Sequence, residues 1–216
     1  LQLQYFTSRG FAVLDVNYRG STGFGRTYRD MLYGNWGKAD VEDLVCGARS
    51  LVERGLADPR RLIAIGGSAG GYTTLAALTF YDTFSAGASL YGVSDLLALA
   101  GETHKFESRY LDRLVGRLPE CEELYKKRSP LANAEKLGCP CIFLQGLDDK
   151  VVPPNQAEAM VEALDIKGVP VAYVPFAGEG HGFRAKENIC RSLESQLAFF
   201  GKVLGFEPAD SLPLLD

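Results

Sequence analysis

Leu62-Ile63-Ala64-Ile65-Gly66-Gly67-Ser68-Ala69-Gly70-Gly71-Tyr72 is the stretch that decides how this 216-residue chain folds. Four apolar residues, a serine set among glycines and then the helical run Tyr72 to Phe80 spell strand, sharp turn, helix. A serine at such a turn needs neighbours without side chains, because the backbone bends hard and the following helix packs close. The helix also points its first amides toward the serine, which places the Ala69 N–H as a donor to an oxyanion. A phosphate loop fits poorly. The lysine of a P-loop is missing, and the earlier Gly20-Ser21-Thr22-Gly23-Phe24-Gly25 has the wrong order for a dinucleotide loop.

Outward from the turn, short apolar runs alternate with longer segments of helical period, which predicts a mostly parallel α/β sheet with helices on both faces. The expected strands are Phe11 to Val16, Leu62 to Ile65, Ala86 to Leu90, Cys141 to Leu144 and Val171 to Val174. Val41, Leu44, Val45, Ala48, Leu51 and Val52 mark an amphipathic helix, with Asp40 placed to cap its start and Gly55 to close it. Further helices are expected after Pro153-Pro154, through Ala157, Met160, Val161 and Leu164, and around Ile189, Leu193, Leu197 and Phe200. Ser94 to Lys136 is longer than a crossover needs and reads as an excursion over the sheet edge.

The composition excludes several classes. With 46% hydrophobic and 23% charged residues the chain is neither disordered nor a membrane protein. The net charge of −4 is dispersed, so no nucleic-acid surface is expected. No apolar run approaches the roughly 20 residues that cross a bilayer. Five cysteines at scattered positions and two histidines match neither a disulfide framework nor zinc spacing. The expectation is free thiols in a reducing, cytoplasmic setting, with no cofactor and no metal; homo-oligomerisation is left open.

A serine hydroxyl becomes a good nucleophile only beside a positioned imidazole. His104 stands among Glu102, Lys105 and Glu107 in a polar stretch, whereas His181 lies in Gly178-Glu179-Gly180-His181-Gly182-Phe183, directly after the last strand. Loops at the carboxyl ends of parallel strands are where such sheets build their sites, which favours His181. The acid is expected in Gln145-Gly146-Leu147-Asp148-Asp149-Lys150, where two aspartates compete and residue physics does not separate them. Asp95, after the middle strand, is a third and weaker candidate that reads better as a helix cap, and Asp15 and Asp43 read as structural. The order serine, acid, histidine is that of an α/β-hydrolase.

These residues resemble the prolyl oligopeptidase family, especially its acylaminoacyl-peptidase and dipeptidyl-peptidase-like members. The markers are Asn17-Tyr18-Arg19-Gly20-Ser21-Thr22-Gly23-Phe24-Gly25, Trp36-Gly37 with Asp40 and Asp43, Gly66 to Tyr72, Gly146 to Pro153, and Gly180-His181-Gly182-Phe183. The resemblance implies a triad of Ser68, Asp149 and His181, since the family's acid stands three residues before its valine-proline pair. It also implies that Val152 and Val93 line the substrate pocket. Gln145 stands where many relatives carry histidine. Residues 1–216 are then expected to be a catalytic α/β-hydrolase domain lacking its amino-terminal strands. The family's β-propeller and the loop that supplies a second oxyanion donor would lie before residue 1.

The implied activity is hydrolysis of short peptides through an acyl-enzyme. A carboxylesterase or dienelactone-hydrolase-like enzyme would use the same triad on esters. A reading from another class is a non-catalytic interaction protein on a hydrolase fold, which usually loses its serine or histidine. This chain keeps both.

Overall fold

The structure, a computed structural model, describes residues 1–102 and 109–212. In chain order the elements are α1 (Gln2–Thr7), α2 (Arg26–Asp30), α3 (Ala39–Glu53), β1 (Ile63–Gly67), α4 (Ala69–Phe80), β2 (Ala86–Leu90), α5 (Leu96–Glu102), α6 (Tyr110–Leu114), α7 (Glu122–Arg128), β3 (Cys141–Gly146), α8 (Asn155–Ile166), β4 (Val171–Phe176) and α9 (Lys186–Leu204). The strands form one parallel sheet in the order β1-β2-β3-β4.

Four of the expected strands are present, and β2 has the expected bounds. β1, β3 and β4 run two residues further than the sequence suggests. Pro175 does not stop β4, because β4 is the sheet edge and there a proline costs no central ladder bond. The expected strand at Phe11 to Val16 is not formed, and this is a correction. Phe11, Val13 and Leu14 of that segment line a cleft of about 760 Å³ together with Ile63, Ala64 and Ile65 of β1. An apolar run becomes a strand only when its N–H and C=O groups find a ladder partner.

Side-chain alternation along β3 sorts the core into two layers. Cys141 and Phe143 face α3, α4 and α8, together with Val45, Leu75, Met160 and Leu164. Ile142 and Leu144 face the other side, with Phe6 of α1 and Leu193, Phe199 and Phe200 of α9. Helices therefore cover both faces, as the sequence predicts. α4 lies deepest: Tyr72, Leu75, Ala76 and Ala77 are all buried, as expected for a helix that is apolar around most of its circumference.

Asp40 sits inside the first turn of α3, with Lys38 as the N-cap. Its carboxylate accepts from the Gly37 N–H (2.7 Å) and the Thr73 hydroxyl (2.6 Å), tying α3 to α4 one turn beyond Ser68. Burial pushes this carboxyl above the usual range. Asp43 is structural, pairing with Arg19, and Asp95 accepts from the Leu97 and Ala98 N–H groups at the start of α5. The excursion between β2 and β3 carries α5, α6 and α7. It is anchored by Arg128, which donates to the carbonyls of Trp36 and Gly34, and by the Tyr72 hydroxyl, which donates to the Arg128 carbonyl.

Candidate active site

The carboxyl ends of all four strands open on one side, and the candidate residues are gathered there. Ser68 follows β1 and has φ 54° and ψ −119°, a conformation that an L-residue adopts only under constraint. Its N–H donates to the Leu90 carbonyl at 2.9 Å, and its carbonyl accepts from the Tyr72 N–H at 3.0 Å. The glycines around it are steric necessities. A Cβ on Gly66 would overlap the Gly70 carbonyl, and one on Gly71 would lie 2.6 Å from the Gly92 Cα. Ala69 is exposed and opens α4, so its N–H, being in the first turn, has no intrahelical acceptor.

His181 reaches Ser68 from the loop after β4. Its Nε2 lies 2.7 Å from Ser68 Oγ, and its Nδ1 lies 2.8 Å from Asp149 Oδ2. The geometry separates the two aspartates. Asp149 has a fully buried side chain, and its other oxygen accepts from the N–H groups of Val151 (2.8 Å) and Val152 (2.9 Å). Asp148 points to solvent and contributes only its backbone N–H, which donates to the Glu179 carbonyl at 2.9 Å. His104 lies outside the described residues.

Val93 and Val152 lie in the loops that follow β2 and β3. They are only 3% and 2% exposed and belong to the core around Tyr72 and Met160. The loop behind Val93 is clamped to α8, since the Gln156 side-chain oxygen accepts from the Ser94 and Asp95 N–H groups. Val151, next in chain to Val152 in the loop after β3, is exposed.

Three residues to which the sequence analysis gave no role hold the site together. Gln145 is fully buried, and its amide donates to the Gly146 and Val152 carbonyls, fixing the loop that carries Asp149. Glu179 is buried in the histidine loop. It accepts from the Arg184 and Ala185 N–H groups and from Asn188, and the Asn188 contact chiefly holds its carboxyl below the usual range. It closes that loop onto the start of α9. Tyr91, directly after β2, packs edge-on against His181 at a ring separation of 5.0 Å. The available signal for all three was position, beside a glycine or at a strand's carboxyl end.

Gly146 is where the acid loop and the histidine loop touch. A Cβ there would overlap the Gly180 carbonyl and lie 2.5 Å from that of Glu179, both backbone atoms with little freedom to move. Gly146→Ala is therefore expected to destabilise the protein by about 1–3 kcal/mol and to lower turnover with it. A denaturant titration beside an initial-rate assay checks both.

Among the described residues no group of histidine, cysteine and acidic side chains could hold a metal ion, and no helix is long and apolar enough to cross a membrane. All five cysteines are unpaired.

Known proteins of this build are similar over nearly the whole chain. A puromycin-hydrolysing peptidase of Mycobacterium tuberculosis superposes with a TM-score of 0.96 at 53% identity, covering 99% of this chain and 33% of its own. An acylaminoacyl peptidase of Pyrococcus horikoshii gives a TM-score of 0.87 at 26% identity, covering 97% of this chain and 35% of its own. Dipeptidyl aminopeptidase BIII of Pseudoxanthomonas mexicana is 36% identical over 191 residues, 86% of this chain and 28% of that protein. The acylamino-acid-releasing enzyme of Arabidopsis thaliana is 30% identical over 213 residues, 93% of this chain and 27% of that protein. The chain thus spans under a third of the length of these curated relatives. Residues 1–207 match the family described as the prolyl oligopeptidase family, and to that family the chain belongs.

Proposed function

We propose that this chain is the catalytic α/β-hydrolase part of a longer serine peptidase that cleaves short peptides through an acyl-enzyme. The observation that carries the reading is the continuous hydrogen-bonded line from Ser68 Oγ through both ring nitrogens of His181 to the buried Asp149 carboxylate. Ser68 attacks the carbonyl carbon while its proton passes to His181 Nε2. The resulting imidazolium returns that proton to the leaving amine as the carbon–nitrogen bond breaks, and a water then repeats the sequence to free the acyl group. Asp149 holds the Nδ1–H and stabilises the cation. The Ala69 N–H is one oxyanion donor.

Val93 and Val152, being core residues, serve as the floor beneath a subsite rather than as its exposed wall. Peptide substrates follow from the relatives, among which two similar structures are described as a puromycin-hydrolysing peptidase and a puromycin hydrolase. Puromycin therefore belongs in the substrate panel beside amino-acid amides and acylated peptides. The cytoplasmic reading rests on the five free cysteines.

Treatment of the full-length protein with a fluorophosphonate is expected to place the adduct on Ser68 alone, with none in Ser68→Ala. An unlabelled, folded protein that still turns over peptides would remove Ser68 from the mechanism. Comparing an amide with an ester of the same acyl group then separates peptidase from esterase.

A further inference from the structure

His181 has two tasks, and they make unequal demands on its position. As a base it needs only the Ser68 hydroxyl, which is already 2.7 Å away. As an acid it must present the same proton to a leaving nitrogen that is not part of the protein. The Asp149 contact fixes one point of the ring, Nδ1, and leaves rotation about that point to be limited by packing.

Tyr91 provides that packing. It has φ +40°, a genuine outlier for a bulky aromatic residue, and among the described residues Ser68 is the one other non-glycine with positive φ. Two contacts impose the turn. The Tyr91 N–H donates to the Leu144 carbonyl at 2.8 Å, and the next residue, Gly92, lies so close beneath α4 that a Cβ on it would be 2.9 Å from the Gly71 Cα. The turn sends the Tyr91 ring over Gly67, where an added Cβ would lie 3.0 Å from the ring edge. On its other side the ring meets His181 edge-on, at 5.0 Å and 64°, and Phe183 at 5.4 Å and 82°. Phe183 rests in turn on Phe176 at the end of β4, at 4.3 Å. A row of aromatics thus runs from the sheet to the imidazole. Among the described residues the Tyr91 hydroxyl makes no hydrogen bond, so what Tyr91 offers His181 and Phe183 is its ring. Backbone strain retained at a site is kept because the surroundings over-determine it, and here what it sets is the place of one ring.

We infer that Tyr91 is a positioning residue that holds the His181 imidazole for proton delivery to the leaving group, and so sets how much amide cleavage the site achieves relative to activated esters. This rests on the proton-transfer role proposed for His181. In acylation the Ser68 Oγ–carbon bond forms, the Oγ proton moves to Nε2, and the carbon–nitrogen bond breaks as Nε2–H protonates the nitrogen. An alkylamine cannot leave without that proton, whereas 4-nitrophenolate leaves as the anion. A displacement of about 1 Å can cost on the order of 100-fold where alignment matters, and the amide reaction alone needs the second alignment.

The experiment measures kcat and KM of the full-length protein, its Tyr91→Phe and its Tyr91→Gly variants on an alkylamide and a 4-nitrophenyl ester sharing one acyl group. Glycine is relaxed at this φ, so Tyr91→Gly removes the ring without adding backbone strain, and a thermal melt verifies that it is folded. Tyr91→Phe is expected to stay within about 3-fold of the parent on both substrates, a conservative rescue. Tyr91→Gly is expected to lose about 10- to 100-fold more on the amide than on the ester, mostly in kcat. Equal losses on both substrates would overturn the inference, since a loss of folded or generally competent enzyme scales both alike. Retained amide turnover in Tyr91→Gly would overturn it as well. A parent protein inert to both substrates and to a fluorophosphonate would instead remove the proposed role of His181, and this inference with it.

Discussion

Alanine at His181 is expected to lower kcat of the full-length protein by about 10⁵- to 10⁶-fold, alanine at Ser68 to do the same, and the double replacement to be no worse than either. The reason is geometric. Ser68 Oγ and His181 Nε2 are 2.7 Å apart and share one proton, so a serine without the imidazole is an ordinary alcohol and an imidazole without the serine has nothing to activate. What survives in each variant is binding and the Ala69 N–H, which are common to all three. Stability should hardly change. His181 lies at the edge of the core with a side chain 24% exposed, and Ser68→Ala removes one atom while keeping the constrained backbone. Steady-state assays on protein purified apart from any active parent, with a denaturation curve for each variant, check this. Losses that multiply in the double variant would mean the two residues work independently, and the triad reading would fall.

Legibility in the sequence followed locality. The elbow could be read because a strained serine between strand and helix demands glycine at fixed offsets, and Gly66 and Gly71 are those glycines. The helices could be read because their period is local, and Gly55, at φ +69°, closes α3 where the sequence placed the stop. Phe11 to Val16 failed because pairing is not a local property: the run is apolar enough for a strand but lines a cleft instead of joining a ladder. The depth of Val93 and Val152 was out of reach for a related reason. Apolar residues beside a site look alike in sequence whether they face substrate or core, and here the Gln145 and Gln156 hydrogen bonds pull their loops inward. Tyr91 was invisible, because nothing in a tyrosine announces a positive φ. Glu179 was hidden in a quoted motif, because two of its three partners are backbone amides that carry no sequence signature.

The choice between Asp148 and Asp149, open to residue physics and decided by family spacing, yields the sharpest contrast. Asp149→Asn is expected to lower kcat by about 10⁴-fold, while Asp148→Asn leaves it within about 2-fold. An asparagine at 149 would fit the same space, but its two ends differ. The Val151 and Val152 N–H groups converge at 2.8 and 2.9 Å on one oxygen, and only the amide oxygen can accept them. The amide nitrogen is then turned toward His181 Nδ1, which must accept instead of donate. That puts the remaining ring proton on Nε2, facing Ser68 Oγ, so the nitrogen that should take the serine proton already carries one. Removing the charge also leaves the imidazolium of the transition state without its buried counter-ion. None of this touches Asp148, whose side chain is exposed and whose backbone N–H to Glu179 survives the substitution. Measuring kcat for both variants at saturating substrate decides it: comparable losses, or the larger loss at Asp148, would show that the acid is not held as the Val151 and Val152 amides hold it here.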